Sequence, residues 1–319
     1  MKKLPLVLSL ILIYLVLPIE SISHNKVVVI PLGGGSNIQN VITVAKSGGD
    51  FTNLLGAVNS ITDASASKPY AIYVAPGIYD MSTSPLPMKP YVSIIGSGQG
   101  TTVIKSSRGG TGAASAFIVG ADNSHLDNLT IKHVAAGNQS ISIYNHNTSP
   151  SFTNLEIIQA SFCDSAMGIY NGFGSAPVIK STSVSVKGVS SVFGIFNVGA
   201  EPVMDDIAVE VSTGSITNIA IHIDTSSPTM NNVRAKAFSG FDLGTQALGL
   251  QCQSSTRSNI TNSSFEGAGL SVSTYGVTIG SNCTGLRIIN SKIVGGVNDG
   301  ASGTQCLRLY NGDLGFVGC

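Results

Sequence analysis

A five-residue pattern returns along this chain at near-constant intervals. Ile141-Ser-Ile-Tyr-Asn, Met167-Gly-Ile-Tyr-Asn, Phe193-Gly-Ile-Phe-Asn and Ile219-Ala-Ile-His-Ile start 26 residues apart. Leu248-Gly-Leu-Gln-Cys, Val277-Thr-Ile-Gly-Ser and Leu307-Arg-Leu-Tyr-Asn follow at steps of 29, 29 and 30 residues. A weaker copy, Ala116-Phe-Ile-Val-Gly, precedes them. A fixed period of this length is the mark of a solenoid. Val, Ile, Ser, Thr and Gly dominate and no amphipathic stretch of helical length recurs, so the coils are built from strands. The first and third residues of each copy are apolar and the second is small or polar. Strand alternation then predicts one inward column through Ile143, Ile169, Ile195, Ile221, Leu250, Ile279 and Leu309. A second strand is expected in each coil, around residues 155–157, 207–209 and 233–235, after turns marked by Pro150, Pro177, Pro202 and Pro228. The expected fold is all-β, a parallel β-helix of 26–30-residue coils stacked at the ~4.8 Å strand spacing.

Polar columns keep the same register. Asn145, Asn171 and Asn197 share one position of successive copies, and Asn128, Asn154, Ser181, Asp206, Asn232, Asn262 and Asn290 share another. Stacked Asn side chains hydrogen-bond along a column and accept the left-handed backbone of a coil corner. Asn-x-Ser/Thr sequons occur at Asn128, Asn138, Asn147, Asn259, Asn262 and Asn282. Asn128 and Asn262 belong to the second column and are expected to be inaccessible.

The start of the chain reads as an export signal. Lys2 and Lys3 precede an apolar run over residues 4–17, and Ser21 and Ser23 supply small residues before a cut. The run is 14 residues, short of the ~20 needed to span a bilayer; an uncleaved anchor is the other reading. No later segment is long and apolar enough to span. The expected organisation is a signal peptide at 1–23, an extension at 24–40 and one β-helix domain at 41–319, in a secreted, extracellular or periplasmic protein. Charged residues are 11% with zero formal net charge, which argues against a nucleic-acid partner. A 43% hydrophobic fraction argues against disorder. Cys252–Cys283 and Cys306–Cys319 are candidate disulfides, and the odd count of five leaves a free thiol. No CxxC pair and no ligand-spaced His suggests a metal site, and no cofactor is expected.

Residues 41–104 differ from the coils. Phe51, Leu54, Leu55, Val58 and Ile61 recur at helical spacing behind Asp50, a candidate N-cap. Ala71-Ile-Tyr-Val-Ala-Pro-Gly-Ile-Tyr79 and Val92-Ser-Ile-Ile-Gly-Ser-Gly98 follow. A short helix here would plug the open apolar end of the solenoid. This order of a Gly-Asp-Phe turn, a capping helix, an Ile-x-Val-x-Pro-Gly-x-Tyr coil and a Gly-x-Gly turn resembles the N-terminal part of pectin methylesterases. More broadly the chain resembles the pectin-lyase-like parallel β-helix superfamily, which implies right-handed coils. The family's catalytic set of two carboxylates, an Arg in an Arg-Pro-Trp segment and glutamines has no full counterpart, because Trp is absent. Asp242, in Gly240-Phe-Asp-Leu-Gly244, and Gln246, in Gln246-Ala-Leu, echo two family segments in reversed order.

Asp205 and Asp206 are the adjacent acidic pair of the coils, the residue types that acid–base glycoside cleavage uses. The His-Gly and Arg-x-Lys segments that accompany such a pair in polygalacturonases are missing, and Asp206 sits in the Asn column. His222 follows inward Ile221 and is expected outside, as a candidate base or an isolated surface residue. Glu210, Arg234 and Lys236 occupy outward slots of the second strand. Tyr144, Tyr170, Phe196 and His222, with Tyr310 further on, form a column beside the apolar one, with small residues next to them. Such a strip suits stacking on sugar rings, or stacking of the rings on one another. The extra residues of the longer coils fall in 238–246, 267–274 and 295–304, where they could wall a groove. The chain stops part-way through a coil, and an uncovered coil edge invites end-to-end self-association. The resulting reading is an exported β-helix that contacts polysaccharide without catalysis. Two alternatives stand beside it: a pectinesterase-like carbohydrate-active enzyme, and a structural or adhesin-like surface module.

Overall fold

The computed structural model describes residues 40–240, 245–255, 257–270 and 273–299, and the backbone of a last strand, Gln305–Asn311. The expected signal and most of the extension, Asp242, Cys319, the side chains of Cys306 and Tyr310, and parts of all three long loops lie outside the described residues. The rest is a parallel β-solenoid of about 10 turns with about 26 residues per coil. One sheet has nine strands, running from Leu86–Pro87 through Ala136–Asn145, Phe162–Asn171, Ser191–Val198, Thr217–Asp224 and Gln246–Ser255 to Ser273–Cys283 and Val297–Asp299. The other has 14, from Asn40–Val44 through Ser151–Ala160, Val178–Lys187, Val203–Ser212, Thr229–Ser239 and Ser264–Gly269 to Arg287–Val294.

The inward column forms as expected for most of its length. Ile118, Ile143, Ile169, Ile195, Ile221, Leu250 and Val277 pair in direct succession and are buried in the core. Two registrations differ from the sequence reading. Leu250 pairs with Val277, and Ile279 stacks on Cys252, a shift of two residues. A two-residue slip keeps every side chain on its own face, so alternation alone does not detect it. Gln305–Asn311 pairs with Arg287–Val294 in the larger sheet, not with the copy at Val277, so Leu309 lies beside Ser291 and outside the column.

Alternation also breaks inside each copy. The small second residue does not face out: a Cβ on Gly168 would lie 2.5 Å from Val184 Cγ1, and one on Gly194 would lie 2.1 Å from Val209 Cγ1. Both valines belong to the core wall of the opposite sheet. The pairing steps from Met167↔Phe193 to Ile169↔Ile195 and skips the glycines. Two successive residues therefore point inward, and only a small one fits where the opposite wall is closest. The first residues, Ile141 and Met167, turn outward and form a separate cluster with Ala116, against Tyr144, Tyr170, Phe193 and Phe196.

The corners carry the second polar column. Asn128, Asn154, Ser181, Asp206, Asn232, Asn262 and Asn290 all have φ between 45° and 60°, the region Asn and Asp tolerate best. Asn154 Nδ2 donates to Asn128 Oδ1 at 2.6 Å, and Asn290 Nδ2 to Asn262 Oδ1 at 2.7 Å. This corner faces solvent: Asn128 is half-buried and Asn262 exposed, contrary to the expected inaccessibility. The Pro-marked turns stack too, with Val178, Val203, Thr229 and Asn259 N–H groups donating to the carbonyls of Pro150, Pro177, Pro202 and Pro228.

At the N-terminal end, Leu54–Ser60 forms the capping helix and buries Leu54, Ala57 and Val58. Its N-cap is Asn53, which accepts from Gly56 N–H at 2.7 Å. Asp50, the expected cap, instead accepts from the N–H and Oγ1 of Thr43 at 2.7 and 2.8 Å. The Thr43 N–H holds its carboxyl below the usual range.

Cys252 and Cys283 form the disulfide, with Cα atoms 6.0 Å apart at a sequence separation of 31, while Cys163 is a buried free thiol. Closing a loop of this length restricts the unfolded chain. Reduction should lower stability by about 2–4 kcal/mol. Thermal melts with and without reductant, run beside the Cys252→Ser/Cys283→Ser double variant, would show it; an unchanged melting temperature would remove the disulfide from any stabilising role.

Candidate functional site

Tyr144, Tyr170, Phe196 and His222 stand in register on the outer face of the nine-stranded sheet. Their rings stack in sequence at 5.1, 5.8 and 4.4 Å between centroids, with interplanar angles of 10°, 13° and 12°. The faces are turned to one another along the solenoid axis, so edges rather than faces meet solvent. Phe193 packs edge-on against Phe196 at 4.8 Å. His222 is only 5% exposed, and its Nδ1–H donates to Gln251 Oε1 at 2.8 Å. Burial pushes its pKa down, although the Gln251 bond opposes that. His222 is thus a neutral member of a ring ladder rather than an isolated surface base, because Phe196 and Gln251 on adjacent coils cover it.

The acidic pair is held in side-chain ladders. Asn231 Nδ2 donates to Asp205 Oδ1 at 2.8 Å, and Asn232 Nδ2 to Asp206 Oδ1 at 3.0 Å. Asp206 has a φ of 57°, so its position is set by the corner it turns. Asp242 lies outside the described residues. Gln246 is exposed and accepts a 3.4 Å bond from Thr217 Oγ1. Among the described residues, no group of three or more His, Cys, Asp or Glu side chains could hold a metal ion.

The larger sheet carries a groove of about 450 Å³ over four successive coils. Two outward rows line it in register: Ser183, Ala208, Arg234 and Ser264, then Ser185, Glu210, Lys236 and Glu266. Lys236 Nζ donates to Glu266 Oε1 at 2.8 Å. That bond comes first in raising the Lys236 pKa, with Glu266 and Glu210 charges adding to it. Arg234 is exposed and has no ion pair or side-chain hydrogen bond to any described residue. The sequence placed Glu210, Arg234 and Lys236 outside but did not assemble them with Glu266 and the serines. The signal was their position in one column per coil, which needs the exact step between coils.

Inside the coil, His133 donates Nε2–H to the Arg108 carbonyl at 2.6 Å and lies 3.2 Å from Ser142 Oγ, which donates to Gln159 Oε1 at 2.7 Å. Burial lowers its pKa to about 4, and the Arg108 bond offsets only part of this. The folded pKa lies below the unfolded value of ~6.5. Stability from this residue is therefore complete above about pH 6.5 and lost as pH falls towards 4. A gap of that size amounts to about 3 kcal/mol. Unfolding free energies from urea titrations at pH 7 and pH 4.5 should differ by most of this, and His133→Leu should flatten the difference. An equal slope in the variant would locate the effect elsewhere.

No family model matches this chain and no curated protein sequence is similar to it. Solved structures are. Escherichia coli ybhc superposes with a TM-score of 0.50 at 12% identity, over 88% of this chain and 86% of that one. A pectin methylesterase in complex with a hexasaccharide gives 0.48 at 12% identity, over 87% and 90%. Pectin methylesterase PemA from Erwinia chrysanthemi gives 0.44 at 11% identity, over 89% and 92%. At these identities the likeness is one of fold, a parallel β-helix.

Proposed function

We propose that this chain is an exported β-helix that holds an acidic polysaccharide along the groove of its larger sheet without cleaving it. The observation that carries the reading is Arg234. Its guanidinium pairs with no described residue and lies in an open groove, flanked by the hydroxyls of Ser183, Ser185 and Ser264. Guanidinium and hydroxyl groups are what a uronate or sulfate group on a sugar chain would engage. The groove crosses three coil steps, roughly 14 Å at the strand spacing, and is open along the axis, as a polymer requires.

Cleavage is disfavoured by the charges. Acid–base hydrolysis needs one carboxyl held protonated beside one ionised. Lys236 stands between Glu210 and Glu266 and bonds the latter, so a cation separates the two carboxylates. Asp205 and Asp206 are occupied by Asn231 and Asn232. The ring ladder offers edges, a poorer platform for sugar faces than the separated rings that stacking requires.

A glycan array spanning uronate-containing, sulfated and neutral polysaccharides tests this. Binding should be confined to the acidic members. Arg234→Ala should weaken it ~10- to 100-fold, the loss of one charge-assisted contact of ~1.5–3 kcal/mol. Absence of binding to every member would end the reading in favour of a structural surface module. Release of methanol or reducing ends from pectin would establish the enzyme instead.

A further inference from the structure

Charge changes sign from coil to coil along the groove of the larger sheet. In its first outward row, Ala208, Arg234, Ser264 and Lys292 stand in direct register on four successive coils. In the second row, Glu210, Lys236, Glu266 and Val294 do the same. Lys292 continues the first row one coil beyond the residues that line the groove. Arg234 and Lys292 are exposed, and neither lies within ion-pair distance of a described carboxylate. Lys236 is already engaged by Glu266 at 2.8 Å. The two cations open to an incoming anion are thus two coil steps apart, roughly 9.6 Å at the strand spacing. The coil between them presents Ser264 and Glu266, and the coil before Arg234 presents Ala208 and Glu210. Glu210 is exposed and Glu266 half-buried.

A sugar chain lying along the solenoid axis meets these coils one after another, and each pyranose of an extended chain advances about as far as one coil step. A polymer with an anionic group on every second sugar sets successive charges on Arg234 and Lys292. The neutral sugar between them lies over Ser264 and Glu266, where its hydroxyls donate to the carboxylate and exchange hydrogen bonds with the serine. A polymer with a carboxylate on every sugar must bring one beside Glu266 and another beside Glu210. Turning those groups away from the protein does not relieve the repulsion, because they stay within the Debye length, ~8 Å at physiological ionic strength. Like charges set against each other across an interface reject a partner. Given that the groove holds an acidic polysaccharide, the reading on which this rests, we propose that it selects chains with one anionic group per disaccharide, a uronate alternating with a neutral sugar, over homopolymers of uronate.

Titration calorimetry of the purified protein tests the proposal with two octasaccharides of equal length. One is a hyaluronan fragment, in which glucuronate alternates with N-acetylglucosamine; the other is an unesterified oligogalacturonate. The alternating chain should bind about tenfold more tightly, the discrimination that close like charges supply. Lys292→Gln should weaken the alternating chain about tenfold, the loss of one contact to a charged group. Glu210→Gln removes a carboxylate without breaking an ion pair. It should strengthen the oligogalacturonate severalfold and leave the alternating chain within about twofold, narrowing the preference. Both positions are exposed, and an unchanged thermal melt would establish that the variants fold. Equal or tighter binding of the oligogalacturonate, still weakened by Arg234→Ala, would overturn the selection while leaving the groove as a polysaccharide site. A Lys292→Gln protein that binds the alternating chain like its parent would overturn it as well. Binding of neither chain would remove the groove reading and this selection together.

Discussion

Replacing Gly194 by valine should cost ~4 kcal/mol or more and leave little folded protein, because overpacking against a rigid wall is among the few changes of that size. The Cβ alone would lie 2.1 Å from Val209 Cγ1 and 2.5 Å from the Ala220 carbonyl oxygen. Val209 could be trimmed, but the carbonyl belongs to the ladder that joins two coils and has nowhere to go. Val209→Ala should therefore recover only part of the loss. Gly240→Ala is the control, since no described residue lies within 4 Å of its added Cβ, and it should be close to neutral. Denaturant midpoints of the four proteins decide the matter. A Gly194→Val protein as stable as its parent would mean that this residue faces solvent.

That contrast shows how far the sequence was legible. Period and parity were enough for the β-helix, for the Ile143–Ile221 column and for the Asn corners, because each depends only on spacing within a copy. The inward turn of Gly168 and Gly194 was not, since a strict alternation puts them on the same face as Tyr144 and Tyr170. Their smallness was the clue: an outward slot has no reason to carry Ser142, Gly168, Gly194, Ala220 and Gly249 in succession. The last copy was misassigned for a related reason. Leu307-Arg-Leu-Tyr-Asn alternates as either sheet requires, and only the pairing chooses between them. The candidate site needed more. That the four rings share a column followed from the sequence, but that their faces turn to one another is a matter of side-chain torsions. Glu210, Arg234 and Lys236 were placed outside, yet the Lys236–Glu266 pair depends on a step of 30 residues where earlier coils step by 25 to 27. Length changes between coils are where registration by eye fails.

Asn171→Asp should destabilise the protein by ~3–5 kcal/mol at neutral pH, the range seen when a buried charge is left without a partner, and most of this should return in acid. Asn145, Asn171 and Asn197 are fully buried. Asn145 Nδ2 donates to Asn171 Oδ1 at 2.8 Å, Asn171 Nδ2 to Asn197 Oδ1 at 2.9 Å, and Asn197 Nδ2 to the His222 carbonyl at 3.0 Å. Asn171 and Asn197 each accept and donate while Asn145 only donates, so the ladder has a direction. A carboxylate in the middle still accepts from Asn145 but donates nothing, and it sets a negative charge against Asn197 Oδ1. Protonation restores a donor at that point. The folded pKa of the new Asp must then lie above its unfolded value of ~3.9. Stability relative to the parent is whole below that value and falls as pH rises towards the folded pKa. The trend is opposite to that expected for His133, so comparing parent and variant at each pH separates the two. Asn171→Leu removes donor and acceptor together, leaves Asn145 and Asn197 each lacking a partner, and should cost ~2–4 kcal/mol with no pH dependence of its own. A Leu variant matching the parent would mean that the ladder fixes the stacking of coils without stabilising it. An Asp variant with a flat pH profile would mean that the column is open to water.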